Sequence, residues 1–397
     1  MAAAPAALHH GDPTIRSWSD LPLDLAAAVL RRLPSRPLDR VRFGAVCTQW
    51  CAAARENPAM PPHFPWLALA DQTFYSLPAT AFRPLPVHLD GHRQLPHAQT
   101  SCGEWLVFER HDGAITLMSP LSAAAGTIVL PGLHTLIDPP HNGEPSKIAY
   151  DDVHGPAIRK LVVCSDNLVA AAVVHEHNVK LALCRPGAAS WSWAIVGGAN
   201  VIVQDIILYQ GQLYAFSRDR CLTAVSITVD DHQPAVSSVD RVINSGLDSF
   251  PFNPCYLLES GGALLMISNY TSRSGGGHPM AAAAARFTVY VASFERSRWT
   301  IARGDILEAV SNGRALFLGP WCSRSVAVGG HDQHGSVGGN SIVFFTYERF
   351  YDDRKRMPFC CGVFNLKTRR LQQSLLQVSV QPLDGFRATW LFPPSQA

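Results

Sequence analysis

Charge is scarce in this 397-residue chain: 16% of its residues are Asp, Glu, Lys or Arg, and 33 basic against 31 acidic side chains leave a formal net charge of +2. A balance so close to neutral gives no chain-wide field for a phosphate backbone or an anionic lipid surface, so neither nucleic acid nor membrane is an expected partner. Lysine is scarcer still, confined to Lys147, Lys160, Lys180, Lys355 and Lys367, so that 28 of the 33 basic residues are Arg. Long apolar runs are missing too. A membrane span needs about 20 apolar residues, whereas Leu168 to Val174 and Val201 to Leu208 are far shorter, and the second holds Gln204 and Asp205. The N-terminus, Met1 to Asp12, has neither the early positive charge nor the apolar stretch of a secretory signal, and residues 1–16 read as a disordered leader.

The ten cysteines, from Cys47 to Cys361, contain no Cys-x-x-Cys pair and no regular framework. Cys164 and Cys184 fall inside apolar strand-like runs, where a reduced thiol packs as a small hydrophobe. A reducing compartment, nucleus or cytoplasm, is therefore expected, in which the one glycosylation sequon, Asn269-Tyr270-Thr271, stays unused.

Catalytic signatures are absent as well. The chain has no Gly-x-x-x-x-Gly-Lys-Ser/Thr phosphate loop, no Gly-x-Gly-x-x-Gly turn, no Gly-x-Ser-x-Gly elbow and no His-Glu-x-x-His helix. The nearest metal-like spacings are His331 with His334 and His175 with His177, but zinc or iron needs three or four converging ligands. The pairs Asp151-Asp152, Asp230-Asp231 and Asp352-Asp353 lie beside turn residues and read as hairpin tips rather than acid/base pairs. Cys360 and Cys361 are neighbours whose side chains on one strand point to opposite faces, which favours packing over redox chemistry. Arg354-Lys355-Arg356 reads as a solvated loop and Lys367, Arg369 and Arg370 as an exposed strand end. No catalytic residue, cofactor or metal is expected.

What is present divides into two periodicities. From Ser19 to about Asn57 apolar residues recur at helical spacing. Ser19 or Asp20 can cap a first helix, with Pro22 near its start and Leu25, Val29, Leu30 and Leu33 along it until Pro34; Ser35 and Pro37 begin a second; a third places Val46, Cys47, Trp50 and Ala54 on one face. A unit this small buries little apolar surface, so its large apolar side chains meet either a partner or the chain's own C-terminal part. Pro58, Pro61, Pro62 and Pro65 make residues 58–65 a stiff linker.

Residues 66–397 are dense in strand candidates, among them Glu104 to Glu109, Ile158 to Cys164, Val169 to His175 and Ser341 to Tyr347, with a single short helix expected at Gly304 to Val310. A glycine followed by apolar residues recurs at Gly103, Gly211 and Gly262; the first two are 108 residues apart, as are Trp191 and Trp299. Such spacing suits blades of about 40 to 50 residues plus loops, so the expected fold is mainly β, a six- or seven-bladed β-propeller behind an N-terminal helical unit. The Gly- and Ala-rich stretch Thr271 to Ala285 reads as a flexible projecting loop.

The N-terminal unit, residues 17–57, resembles an F-box: Trp18-Ser19-Asp20-Leu21-Pro22-Leu23-Asp24-Leu25, then Val29-Leu30-Arg31-Arg32-Leu33-Pro34-Ser35, then Asp39-Arg40-Val41-Arg42-Phe43-Gly44-Ala45-Val46-Cys47 and Trp50. The rest resembles the propeller-like domain of a large plant F-box family, through Arg159-Lys160-Leu161-Val162-Val163, Asp205 before Gly211-Gln212-Leu213-Tyr214-Ala215, Trp299 and Leu316-Phe317-Leu318-Gly319. The resemblance implies that the helices dock on a Skp-type adaptor, and through it a cullin-RING ubiquitin ligase, by Leu21, Pro22, Leu25, Leu30, Leu33, Val46, Cys47 and Trp50. It also implies that the propeller captures a target protein that the resemblance does not name. Many members carry Arg directly after the tryptophan where this chain has Cys51, and Pro37 falls in a stretch usually free of proline, so a weakened F-box and a non-degradative scaffold form the alternative expectation.

Overall fold

A chain dense in short apolar runs closes their backbone hydrogen bonds by pairing each run with its neighbour, and the computed structural model shows how. It describes residues 18–32, 42–56, 64–69, 73–76, 81–84, 100–110, 112–120, 126–136, 157–165, 168–175, 178–196, 201–229, 234–244, 254–271, 285–328, 337–346, 357–380 and 389–392. Two compact units emerge, Met1–Met60 and Pro61–Ser395. The leader lies outside the described residues, as does most of the Pro-rich linker.

In the first unit α1 (Leu23–Arg32) and α2 (Thr48–Glu56) flank a helical turn at 42–44. The Pro22 carbonyl accepts the first helical bond, from Ala26 N at 2.9 Å, so Pro22 rather than Ser19 or Asp20 holds the capping position of α1. Val46 and Cys47 precede α2 instead of lying on its face. Cys47 caps it: its carbonyl accepts from Cys51 N at 2.9 Å and its Sγ from Trp50 N at 3.5 Å. The unit's core is five buried side chains, Ala26, Leu30, Phe43, Ala53 and Ala54.

In the second unit the strands follow one another as hairpins. The first sheet begins with β1 (Trp66–Ala68), β2 (Thr73–Ser76) and β3 (Ala81–Pro84). The second is β4 (Thr100–Cys102), β5 (Trp105–Glu109), β6 (Ile115–Met118) and β7 (Thr127–Leu130); the third is β8 (Ala157–Ser165), β9 (Leu168–His175), β10 (Asn178–Cys184) and β11 (Ser192–Ala194). The fourth is β12 (Val203–Tyr209), β13 (Gln212–Ser217), β14 (Leu222–Val229) and β15 (Pro234–Ile243); the fifth is β16 (Cys255–Ser260), β17 (Ala263–Thr271), β18 (Ala285–Ser293) and β19 (Arg298–Ile301). After α3 (Gly304–Ser311) the sixth contains β20 (Arg314–Leu318), β21 (Arg324–Ala327), β22 (Ser341–Thr346), β23 (Met357–Asn365) and β24 (Arg370–Val380). Finally β25 (Thr389–Leu391) returns to pair antiparallel with β1, Trp66 opposite Leu391, and completes the first sheet. Six sheets make a six-bladed β-propeller whose ring is fastened by its two chain ends.

The inner strands of the six sheets, β25, β4, β8, β12, β16 and β21, face the axis. The recurring glycine has a physical reason. Gly103, Gly211 and Gly262 each turn an inner strand into the next, with φ of 60°, 77° and 74°, a left-handed backbone that costs glycine nothing. The recurring tryptophan also has one: buried Trp191 donates its Nε1–H to Pro131 O at 2.7 Å and buried Trp299 to Arg220 O at 2.9 Å, each tying a blade to the preceding one.

Because blades stack face to face, both faces of a middle strand are buried, which explains continuous apolar runs. On β9, Val169, Ala171 and Val173 join the core shared with the second sheet, while Ala170 and Ala172 join the core shared with the fourth. The sixth sheet departs from the plain hairpin pattern. Its order is β21-β20-β22-β23-β24, with β20 and β22 parallel and α3 inserted ahead of β20. This helix runs one residue beyond the expected Gly304 to Val310. Residues 272–284 of the expected loop lie outside the described residues. Among the described residues no helix is long and apolar enough to cross a membrane.

Candidate functional site

The first candidate is the apolar surface of the helical unit. A core of five side chains cannot cover every large apolar residue, and Trp18 is 71% exposed, Leu25 49% and Val46 48%. Pro22 is exposed; Leu21, Cys47 and Trp50 are half-buried. Trp50 is held from within: its Nε1–H donates to Trp18 O at 3.0 Å and its ring lies 4.5 Å from that of Phe43. Leu30 is wholly buried and joins the two helices rather than offering surface, and Leu33 lies outside the described residues. The implied contact set is therefore divided, with Pro22, Leu25 and Val46 facing solvent and Leu30 facing inward. Trp18, the most exposed of all, opened the resemblance but was not among the implied contacts. Its signal was an aromatic residue outside the helical periodicity.

The second candidate is the axis of the propeller, where side chains stitch neighbouring inner strands. Lys160 of β8 donates to Asp205 of β12 at 2.5 Å, both side chains 9% exposed. The Asp205 carboxylate also accepts from Leu257 N of β16 and from Ile206 N, each at 2.8 Å, so one residue ties three blades. Register shifts at Ile158/Lys160 and Val203/Asp205 mark β-bulges, which re-aim a side chain along the strand. Further round, Ser101 of β4 bonds Thr389 and the Trp390 carbonyl of β25, and Ser260 of β16 bonds Ser325 of β21 at 2.7 Å.

A cavity of about 420 Å³ opens where these inner strands converge, bordered by Trp105, Lys160, Glu259, Trp321, Cys322 and Arg324. Burial, reinforced by the neighbouring Cys322, pushes the Cys102 thiol up to about 12, and burial raises Cys322 as well. Both thiols are protonated at neutral pH and lack nucleophilic character. Exposed Glu259 and Arg324 with two indoles at the border provide polar recognition of either sign.

Among the described residues no three His, Cys, Asp or Glu side chains converge as a metal site. His331, His334, His177, Arg354 to Arg356 and the pairs Asp151-Asp152, Asp230-Asp231 and Asp352-Asp353 lie outside the described residues. Cys361 is buried in the core shared by the first and sixth sheets. Asn269 of the sequon is 7% exposed within β17, closed to a glycosylating enzyme in the folded state.

A six-bladed propeller and a short helical unit with solvent-facing apolar residues define a protein built on two modules. The family described as KIB1-4 beta-propeller matches residues 74–365, and the chain belongs to that family. It is similar to "Putative F-box protein At5g60060" of Arabidopsis thaliana, 24% identical over 376 residues that cover 88% of this chain and 93% of that one. It is also similar to "Putative F-box protein At4g22180" of Arabidopsis thaliana, 37% identical over 71 residues, 18% of this chain and 17% of the other. Among solved structures, the Cps50 (Swd1) β-propeller domain of Myceliophteria thermophila is 8% identical with a TM-score of 0.31, covering 71% of this chain and 88% of that chain.

Proposed function

We propose that this chain is the substrate-receptor subunit of an SCF-type cullin-RING ubiquitin ligase. Its helical unit docks on a Skp-type adaptor and its propeller captures a target protein for ubiquitin transfer, with no covalent step on the chain itself. The observation that carries the reading is the exposure of Trp18, Leu25 and Val46 on a unit too small to cover them. Large apolar side chains standing in water are the usual anchors of a protein interface. The F-box names of the two relatives support the same reading. Held by the adaptor, the propeller raises the effective concentration of target lysines near the conjugating enzyme. A nuclear or cytoplasmic site of action accords with described cysteines that form no disulfide.

Co-purification with a Skp-type adaptor tests this. Leu25→Asp with Val46→Asp alters exposed positions and leaves Leu30 and Phe43 in place. Adaptor binding by the native chain and at least about a hundredfold loss in the variant is expected, the scale of two interface anchors. A native chain that binds no adaptor sinks the receptor reading in favour of a non-degradative scaffold.

A further inference from the structure

A second opening lies away from the axis, at the blade junction where α3 enters. It is a groove of about 680 Å³ between β18 and β19 on one side and α3 with the β23–β24 turn on the other. That volume falls within the roughly 300–1,000 Å³ typical of ligand sites. Its floor is apolar: Phe287, Val289, Phe364 and Leu366 are buried, and the rings of Phe287 and Phe364 lie 5.2 Å apart. Ile301, at its edge, is 39% exposed.

The rim is basic and rigid. Lys367 and Arg369 stand exposed in the β23–β24 turn, and Arg303 stands exposed at the start of α3. Asn365 Oδ1 accepts from Lys367 N at 2.9 Å and Thr368 N at 2.8 Å, which locks the turn that presents these cations. Lys367 is engaged by Glu308 at 3.1 Å, both side chains 54% exposed. Arg303 and Arg369, which line the groove, make no ion pair among the described residues. Solvent screens an exposed pair such as Lys367–Glu308, so an incoming carboxylate can displace Glu308.

We infer that this groove docks an acidic segment of the target protein, with one or two large apolar side chains on the phenylalanine floor and flanking carboxylates on Arg303 and Arg369. The inference rests on the receptor reading above and names the chemistry that the receptor selects. An apolar floor between cations suits such a peptide better than nucleic acid, whose bases and phosphates need a continuous cationic track without Asp305 and Glu308 beside it. The basic turn, legible in the sequence only as an exposed strand end, thereby acquires a role.

The test pans random dodecapeptides displayed on phage against the full chain, then measures the enriched peptides by fluorescence anisotropy. Enrichment of aromatic or aliphatic residues flanked by Asp and Glu is expected. Arg303→Glu with Arg369→Glu should weaken those peptides at least about tenfold, and Glu308→Gln should tighten them about threefold by removing a competing carboxylate. Unchanged thermal unfolding of the variants shows that the fold is intact. Peptides without acidic enrichment, peptides that ignore the double charge reversal, a selection that enriches nothing, or equally strong competition by a single-stranded oligonucleotide would each overturn the inference. Adaptor co-purification on the same preparations keeps the two readings apart. Adaptor binding without acidic peptide binding removes the groove alone, whereas peptide binding without adaptor binding removes the ligase assignment and leaves the groove.

Discussion

In the propeller, Ala170 and Ala172 of β9 face one neighbouring blade while Val169, Ala171 and Val173 face the other, and all five are fully buried. In the helical unit a core of five buried residues holds two helices together, yet Leu25 and Val46 stand about half exposed and Trp18 more so. The difference follows from geometry. A ring of sheets gives the apolar side chains of its middle strands a neighbouring blade on each face, and those left exposed, such as Ile195 at 65% and Ile301 at 39%, lie towards the outer ends of their blades. A pair of helices about ten residues long has one shared seam, and whatever lies outside it waits for another surface. The apolar residues of the middle strands therefore carry stability, whereas a larger share of those in the helical unit is left for association, and substitutions can test that division.

The largest effect is expected where the ring is fastened. Trp390 on β25 is fully buried, donates Nε1–H to Leu318 O at 2.8 Å, and meets the Phe317 ring edge-on at 5.2 Å. Trp390→Ala removes a fully buried indole together with its hydrogen bond to Leu318 O, a loss of about 3–5 kcal/mol in denaturant unfolding of the propeller. Adaptor binding at equal folded concentration should stay within about twofold, because no apolar anchor of the helical unit is touched. If Trp390→Ala instead weakens adaptor binding as strongly as Leu25→Asp with Val46→Asp, the division between the two units is wrong.

How far these features can be read without coordinates depends on whether their causes are local. The glycine at each inner turn and the tryptophan that staples a blade are local, since a left-handed backbone or a large indole marks its own position; Gly103, Gly211, Gly262, Trp191 and Trp299 thus revealed the propeller. Blade number was less legible, because the first sheet takes strands from both ends of the chain and the sixth interrupts its hairpins with a parallel pair. The inward turn of Leu30 was hidden for a related reason. Leu25 and Leu30 are five residues apart, about 140° round the helix, so they lie on different faces, and only the position of Phe43 and α2 decides that the Ala26–Leu30 face is the covered one. Lys160 and Asp205 drew notice as part of the family resemblance, yet 45 residues of sequence separate them and nothing local says that they touch.

That pair gives the second prediction. Lys160→Met leaves the Asp205 carboxylate buried with only two backbone N–H donors, and a buried charge deprived of its partner costs about 3 kcal/mol. Adding Asp205→Asn should recover at least about half of that loss, since the amide removes the orphaned charge and its oxygen still accepts a backbone N–H. Unfolding of the single and double variants checks this. A double variant no more stable than Lys160→Met would mean that the ion pair is not what joins the three blades. Either result sharpens the contrast with the helical unit, among whose described residues no buried ion pair is found.

The smallest effect expected is at a turn, and it carries a pH signature. Asp219 lies between β13 and β14, where Arg220 adopts φ of 64°. Burial alone would raise its pKa, but hydrogen bonds from Ser217 Oγ and from the Cys221 thiol and amide outweigh burial and hold the carboxyl below its ordinary 3.8. A carboxyl depressed in the folded state binds its proton more readily when unfolded, so its stabilisation is present above the unfolded pKa and is lost as pH falls through the folded one. Because Asp219 is exposed, the contribution is modest, about 0.5–1 kcal/mol for hydrogen bonds at a solvated turn. Asp219→Asn should thus be less stable than the native chain by that amount at pH 7, with the difference shrinking as pH falls below about 3.8 and both forms become neutral. A gap between the two that stays constant down to acid pH would show that the turn depends on side-chain shape rather than charge. The propeller would then be held, at this turn as in its blade cores, by fit between neighbouring groups alone.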